Sequence, residues 1–446
     1  MTKEEEEQVN DSPWWLKLAA LGDSTMALFC SFALLVVSVV IALAIDDTPE
    51  SDPAYRALGP PPKIDPPKIF QYQNGMPLVS NEMRIAFQKD GVIAVRGLLD
   101  DDLLKLLDTA SADLVEEHQR KKPRGALSGG KVPRPKQFYM ANHSLMLQKD
   151  PELQDLDNNP FLKVSLQSRI PMVAADLLQM EQNETLRAMR DIFLAKDEDQ
   201  FICGWHVDDT GFWPATAEAP GVNAWLALDD MPLERGGGFA LAVGSHTAPW
   251  REEAYNVTGS THTFPKEGFR SASDMLDNRM GNGTCNIKTA ANHIYRRMEE
   301  TKRIYEVQRG DVIFSERWLF HRTVAFDKQA IKNRRASGEQ HLVSRRYSIR
   351  YGPGSSEIPK GWGTEISVMW DEQNAGRTAD EVAAQDAPWY PQVWPSISND
   401  ELDKLKTIAE RMPLLIQKFE VRRKQMRPRH NPTGIYHNLN QYSTTT

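Results

Sequence analysis

Cysteine is scarce, with 3 residues in a chain of 446. That excludes a disulfide-built scaffold and any metal site made of thiolates alone. Positive charge is also in short supply. Lys and Arg number 53 against 61 Asp and Glu, giving a net charge of −8, and the isoelectric point is near 5.8. A nucleic-acid binder normally shows a basic face, so this balance argues against nucleic acid as a partner. No internal repeat is visible. Long hydrophobic runs are missing with one exception, and a mean hydropathy of −0.51 excludes a polytopic membrane protein. Apolar residues at 40% and charged residues at 26% suit a mostly soluble globular chain.

The exception is Met26 to Ile45, 20 residues without a charge, which matches the ~20 needed to cross a bilayer core as a helix. Asp23 and the pair Asp46–Asp47 bracket it, and Trp14, Trp15 and Lys17 upstream are residue types of the membrane interface. Ala42-Leu43-Ala44 offers a cleavage site for the alternative of a signal peptide. The long apolar core and the acidic lead Glu4–Glu7 favour an uncleaved transmembrane helix over residues 26–45, after a short polar segment 1–25. Lys and Arg are sparse on both sides, so orientation rests on the sequons at Asn142, Asn183, Asn256 and Asn282. All lie downstream, which leans toward the endomembrane system with the folded domain lumenal. Residues 46–76, with Gly59-Pro60-Pro61-Pro62 and Pro66-Pro67, read as an extended stalk.

The folded domain is expected over 77–395. Ser80 caps a helix through Phe87, Asp90-Gly91 ends it, and Val92–Val95 is a strand. A second helix is capped among Asp100 to Asp102, with Leu103, Leu107, Ala110 and Leu114 as its apolar stripe. From about residue 187 short β-rich runs take over: Asp191–Ala195, Ala224–Leu228, Phe239–Val243, Ile304–Val307, Asp311–Phe314 and Arg345–Tyr351. The pattern predicts a mainly β fold with flanking helices, a sandwich or jelly roll. Residues 247–304 read as a polar insertion and Lys328–His341 as a basic loop. A C-terminal helix from Ser398 to Glu420 and a basic polar tail fill 396–446.

The chemistry lies in the β-rich half. On a strand, residues i and i+2 share a face, so His206 and Asp208 within Gly204-Trp205-His206-Val207-Asp208-Asp209 converge. A second histidine follows the strand begun at Gly310-Asp311-Val312, in His321-Arg322-Thr323. Two histidines and a carboxylate from separate strands are the donor set of non-haem Fe(II) oxygenases and leave coordination positions open. Zinc more often takes a closed shell or a further nitrogen or thiolate. Ser344-Arg345-Arg346-Tyr347-Ser348-Ile349-Arg350-Tyr351 alternates as a strand. Arg346 with Ser348 offers a guanidinium and a hydroxyl on one face, suited to the distal carboxylate of 2-oxoglutarate. The opposite face carries Arg345, which stays open as the alternative clamp.

These stretches resemble the phytanoyl-CoA dioxygenase family of Fe(II)/2-oxoglutarate oxygenases. The matching blocks are Phe87–Ile93 running into Gly97-Leu98-Leu99, then Trp205-His206-Val207-Asp208, then Trp225–Met231 with Glu234-Arg235-Gly236-Gly237 and Gly244-Ser245-His246, and finally Gly310-Asp311-Val312 with His321-Arg322-Thr323. The resemblance implies a double-stranded β-helix and an Fe(II) held by His206, Asp208 and His321. It further implies 2-oxoglutarate as co-substrate, with Thr323 and Trp225 helping to hold it. Oxidative decarboxylation of 2-oxoglutarate by O2, to succinate and CO2, would supply the iron-borne oxidant that abstracts hydrogen from an unactivated C–H bond, with ascorbate supportive. Related halogenases lack the carboxylate ligand, so the presence of Asp208 points to hydroxylation. The substrate expected is a small molecule or lipid-like compound, and protein partners are left open.

Blander readings apply to neighbouring residues. His246 reads as turn chemistry, and His262, His293 and His341 as solvated. Cys203 reads as buried, with a Cys203–Cys285 disulfide as an alternative in a lumenal domain. Phe212-Trp213 lies where it could touch substrate. The rival functions are a non-catalytic jelly-roll binding protein and a cupin-type metalloenzyme that does not use 2-oxoglutarate.

Overall fold

The computed structural model describes residues 52–121, 159–198, 204–207, 213, 215, 219–247, 292–338, 342–358, 376–382, 390–404 and 407. The proposed span 26–45, the sequons at Asn142, Asn256 and Asn282, and all cysteines lie outside these residues. Among the described residues no helix is long and apolar enough to cross a membrane. The chain divides into two units, residues 1–60 and 61–446. In the first, a short helix α1 (Pro53–Ala57) starts at Asp52, whose carboxylate accepts from Ala54 N at 2.9 Å. An unbroken extended stalk is therefore not what forms there.

The second unit begins earlier than position 77. β1 (Ile69–Gln71) pairs in parallel with β2 (Val92–Arg96), Ile69 opposite Ala94. Its prolines precede the strand at a sheet edge, where a missing N–H costs no ladder bond. Between the two strands, α2 (Asn81–Asp90) is capped by Ser80, whose hydroxyl accepts from Met83 N, and is closed by Gly91 in the left-handed region at φ 75°. A Cβ on Gly91 would also lie 2.5 Å from the His246 ring, so glycine is required there twice over. That contact, with His246 Nε2 3.3 Å from Gln88 O, gives His246 a packing role.

Helix α3 (Asp101–Lys121) follows, with Asp100 Oδ1 accepting from Leu103 N at 2.8 Å. Helices α4 (Pro160–Gln167) and α5 (Arg169–Leu177) start at Asn159 and Ser168. The remaining elements are β3 (Leu186–Asp197), β4 (Val222–Ala227), β5 (Phe239–Ala242), α6 (Asn292–Glu300), β6 (Lys302–Ile304), β7 (Val312–Glu316), β8 (His321–Thr323), α7 (Lys328–Ser337), β9 (Val343–Pro353) and β10 (Gln392–Trp394). Three sequence expectations change. The stretch 247–304 ends in α6 and β6, and β6 is a regular strand of the smaller sheet. The strand expected at Ile304–Val307 is shifted to Lys302–Ile304. The basic stretch after residue 327 is a helix between an Asp327 cap and Gly338 at φ 72°.

A seven-stranded sheet, ordered β1-β2-β7-β4-β9-β3-β10, faces a three-stranded sheet ordered β6-β5-β8. The fold is mainly β with flanking helices and jelly-roll-like. Its core has two layers. Ile93, Leu226, Phe314, Phe193, Tyr347 and Ile349 point outward from the large sheet and bury against α3, α4 and α5. Val92, Ala94, Trp225, Ala227 and Ile313 point inward and meet Phe239 and Leu241 of the small sheet. With both faces covered, the strands read as nearly continuous apolar runs. Trp213, considered above for substrate contact, is instead buried in the outer core, with the Arg317 guanidinium 4.9 Å from its ring.

Phe193 is 1% exposed and its ring lies 5.6 Å from that of Phe161 on α4. Phe193→Ala should cost about 3–5 kcal/mol through lost burial and the cavity left behind. Urea unfolding of the two proteins measures it.

Candidate active site

The inner face of the small sheet carries the first pair of functional side chains. His321 opens β8, and His206 lies beside it on a short extended segment. Their backbones close a bridge: His206 N–H donates to His321 O at 3.0 Å, and His321 N–H returns to His206 O at 2.9 Å. The imidazole centroids come to 4.6 Å. Each Nδ1–H donates to a carbonyl, His206 to Gly204 O at 2.8 Å and His321 to Leu319 O at 3.1 Å. A carbonyl only accepts, so Nδ1 carries the hydrogen in both rings, and the lone pair a metal needs falls on Nε2. Asp208, the third expected ligand, lies outside the described residues. Among the described residues no group of three or more potential metal ligands forms. What is described of the donor set fits a metal held through imidazole nitrogens.

Thr323 is two residues beyond His321 and shares its face; both are 5% exposed. Its Oγ1 accepts from Arg346 Nη1 at 3.3 Å and from Lys196 Nζ at 2.6 Å. The Arg346 guanidinium lies 5.8 Å from the Trp225 ring. Trp225 is stacked on Phe239 at 5.2 Å, and Phe239 lies 4.9 Å from His321. His321, Phe239, Trp225, Arg346 and Thr323 thus close a circuit across the space between the sheets. The buried Trp225 Nε1–H has no hydrogen-bond partner among the described residues. An indole N–H and two cations close to Thr323 are groups of the kind that bind carboxylate oxygens.

The two adjacent arginines have opposite fates. Arg346 is on the inner face. Arg345 is on the outer face, where its Nε and Nη2 donate to Asp229 and its Nη2 also reaches Asp108 Oδ1 at 2.8 Å. Its Nη1 donates to Ser111 Oγ at 3.0 Å. Burial opposes the Arg345 charge, but Asp229 and then Asp108 outweigh it and raise the side chain above its ordinary pKa. Arg345 is thereby engaged in joining β9 to α3. Ser348 is buried on the inner face beside Trp225 in the β4–β9 register.

Lys196 and Glu299 are absent from the sequence-based expectations. Lys196 sits at the end of β3 in the run Lys196-Asp197-Glu198-Asp199, which looks like a solvated turn. The ladder to β9 continues through Lys196 and Asp197, and Glu198 just beyond them pairs with Arg334 of α7. Glu299, on α6, accepts from the Trp205 indole at 2.9 Å, from Lys302 Nζ at 2.7 Å and from Arg322 Nε at 3.1 Å. Burial alone would raise the Glu299 pKa, but Lys302, Arg322 and Trp205 together hold it below the ordinary value.

Comparison with known proteins places this arrangement. A family model described as phytanoyl-CoA dioxygenase (PhyH) matches residues 87–331, more than half of the chain. No curated protein matches the sequence significantly. Among solved structures, the non-haem α-ketoglutarate-dependent carbocyclase SnoK from nogalamycin biosynthesis is 18% identical, with 71% of this chain and 96% of that chain covered and a TM-score of 0.44. EctD from S. alaskensis, solved with 2-oxoglutarate and 5-hydroxyectoine, is 14% identical, with 71% and 91% covered and a TM-score of 0.40. HygX from Streptomyces hygroscopicus, solved with nickel and 2-oxoglutarate, is 15% identical, with 62% and 87% covered and a TM-score of 0.33.

The depressed Glu299 carboxyl has a signed consequence. Its contribution to stability is complete above the unfolded glutamate pKa of about 4.3 and is lost as pH falls through the lower folded value. Acid unfolding followed from about pH 5 to pH 3 should therefore show a shallower loss of stability in Glu299→Gln than in the unsubstituted protein.

Proposed function

Because this chain belongs to the phytanoyl-CoA dioxygenase family and is an Fe(II)/2-oxoglutarate-dependent oxygenase, we propose that it hydroxylates an unactivated C–H bond of a small-molecule or lipid-like substrate. One O2 and one 2-oxoglutarate would be consumed per turnover, leaving succinate, CO2 and the hydroxylated product. The observation that carries the assignment to this site is the closed circuit from His321 through Phe239, Trp225 and Arg346 to Thr323.

In this reading His206 and His321 hold the iron through Nε2, and Asp208 supplies the carboxylate. When bound, the iron provides a Lewis-acidic centre with open positions for the 2-oxo acid and O2. Arg346 takes the distal carboxylate of 2-oxoglutarate as a planar donor, and Lys196 adds a second positive charge from β3. Thr323, which receives both cations, sets the angle at which they approach the carboxylate. The Trp225 indole donates to the same anion, and its stacked partner Phe239 forms a wall that excludes water from the space beside His321. Asp208, where halogenases leave room for halide, supports hydroxylation over halogen transfer. Ascorbate is expected to sustain turnover by keeping the iron reduced.

We also propose that residues 26–45 anchor the chain in an endomembrane with the catalytic domain lumenal. Asn183, exposed on the turn between α5 and β3, is one sequon in reach of glycosylation there. Endoglycosidase treatment of the protein from its native membranes should then increase its mobility, and an unchanged mobility would count against lumenal placement.

The direct test incubates the full chain with Fe(II), ascorbate, O2 and labelled 2-oxoglutarate. Labelled CO2 is expected, and His206→Ala should abolish it; release that persists in this variant would overturn the metal assignment. Loss of a charge-assisted hydrogen bond is worth about 1.5–3 kcal/mol. Arg346→Ala should therefore raise the 2-oxoglutarate KM by about 10- to 100-fold. Lys196→Met should move it in the same direction, whereas Arg345→Ala should lower the melting temperature and leave the KM unchanged.

A further inference from the structure

The two metal-binding histidines come from elements far apart in sequence, and only part of what aligns them is inside the site. In the bridge between His206 and His321 their neighbours Trp205 and Arg322 stand opposite each other on the outer face of the small sheet. The Arg322 guanidinium lies 5.0 Å from the Trp205 ring, and Trp205 is fully buried. One carboxylate joins them. Glu299 Oε1 accepts from Trp205 Nε1 at 2.9 Å and from Arg322 Nε at 3.1 Å, while its Oε2 accepts from Arg322 Nη2 at 3.2 Å and from Lys302 Nζ at 2.7 Å. Thus the residue before one histidine and the residue after the other are held by the same side chain.

We infer that Glu299 is a positioning residue for the metal site, clamping Trp205 to Arg322 so that His206 and His321 present Nε2 at a fixed separation. This inference rests on the metal-site reading above. The physical ground is strand alternation. Side chains at i and i±1 leave opposite faces, so a clasp on the outer face fixes the rotation of both backbones and hence the aim of both inner imidazoles. The His206 segment needs such help, because among the described residues its only sheet pairing is the single bridge to His321. Glu299 itself is delivered by α6, which buries Ile294, Arg297 and Met298 and leads directly into β6 of the same sheet. The carboxylate therefore stands on a helix anchored to the sheet it braces. Supporting groups of this kind commonly change metal affinity by about 10- to 100-fold when removed.

The experiment titrates the full-length apoprotein with Co(II) under anaerobic conditions and follows the d–d absorption, without 2-oxoglutarate or turnover. Glu299→Ala should raise the Co(II) Kd at least tenfold. Glu299→Gln keeps an acceptor for the indole and loses the charge facing Arg322, so it should fall between. Arg84→Ala, which removes the half-exposed pair with Asp176 between α2 and α5, serves as a control for general destabilisation and should leave the Kd unchanged. A Kd within twofold of the unsubstituted protein in Glu299→Ala overturns the inference. If Glu299→Ala fails to fold, the Gln variant decides by the same criterion. Failure of the metal-site reading is distinguishable: the unsubstituted protein would then bind no Co(II), or His206→Ala would bind it equally well, and the inference would fall with it.

Discussion

The proposed metal site depends on a pair of backbone hydrogen bonds, His206 N–H to His321 O and His321 N–H to His206 O. They bring together residues separated by more than a hundred positions. Nothing in the imidazoles themselves would do so, since neutral rings attract each other weakly in water. Once the bridge forms, alternation places both rings inside and both neighbours outside. The inside then needs insulation, which Phe239 and Trp225 provide as a stacked pair. Arg346 and Lys196 approach the same space from the large sheet and meet at Thr323.

The large sheet answers a different demand. Its strands are covered on both faces, by helices on one side and by the small sheet on the other. That permits charged side chains to be stored between apolar ones without exposing the core. It also sets the cost: a buried cation must be given a polar neighbour at a defined place. Thr323 supplies one for Arg346 and Lys196, and Asp229 with Asp108 does so for Arg345.

Much of this is readable from the chain. Ser80, Gly91 and Asp100 mark helix ends by simple capping chemistry, whereas the strand His321–Thr323 of the smaller sheet is too short to show a period. Other features escape for physical reasons. In β9 both faces are buried, so alternation carries no polar-out signal, and only the carboxylates of Asp108 and Asp229, distant in sequence, separate Arg345 from Arg346. Lys196 and Glu299 stand in charged runs that look solvated until a distant partner is known. β1 is masked by its prolines, which are harmless at an edge. Helix α7 was signalled by Asp327 and Gly338, but its basic composition draws attention first.

The neighbouring arginines of β9 also act as a registration key. Long ladders such as β3–β9 are held mainly by repetitive backbone bonds, and a slip by one residue preserves most of them while exchanging the two faces. A slip in one direction would leave Asp229 and Asp108 facing Ser344, and a slip in the other would put Tyr347 where Arg346 meets Thr323. Either way one of the two sites loses its guanidinium, which makes the misaligned sheet recognisably wrong to the folding chain. This electrostatic discrimination adds to the apolar one, in which a slip would exchange Tyr347, Ile349 and Tyr351 of the outer core for Ser348 and Arg350.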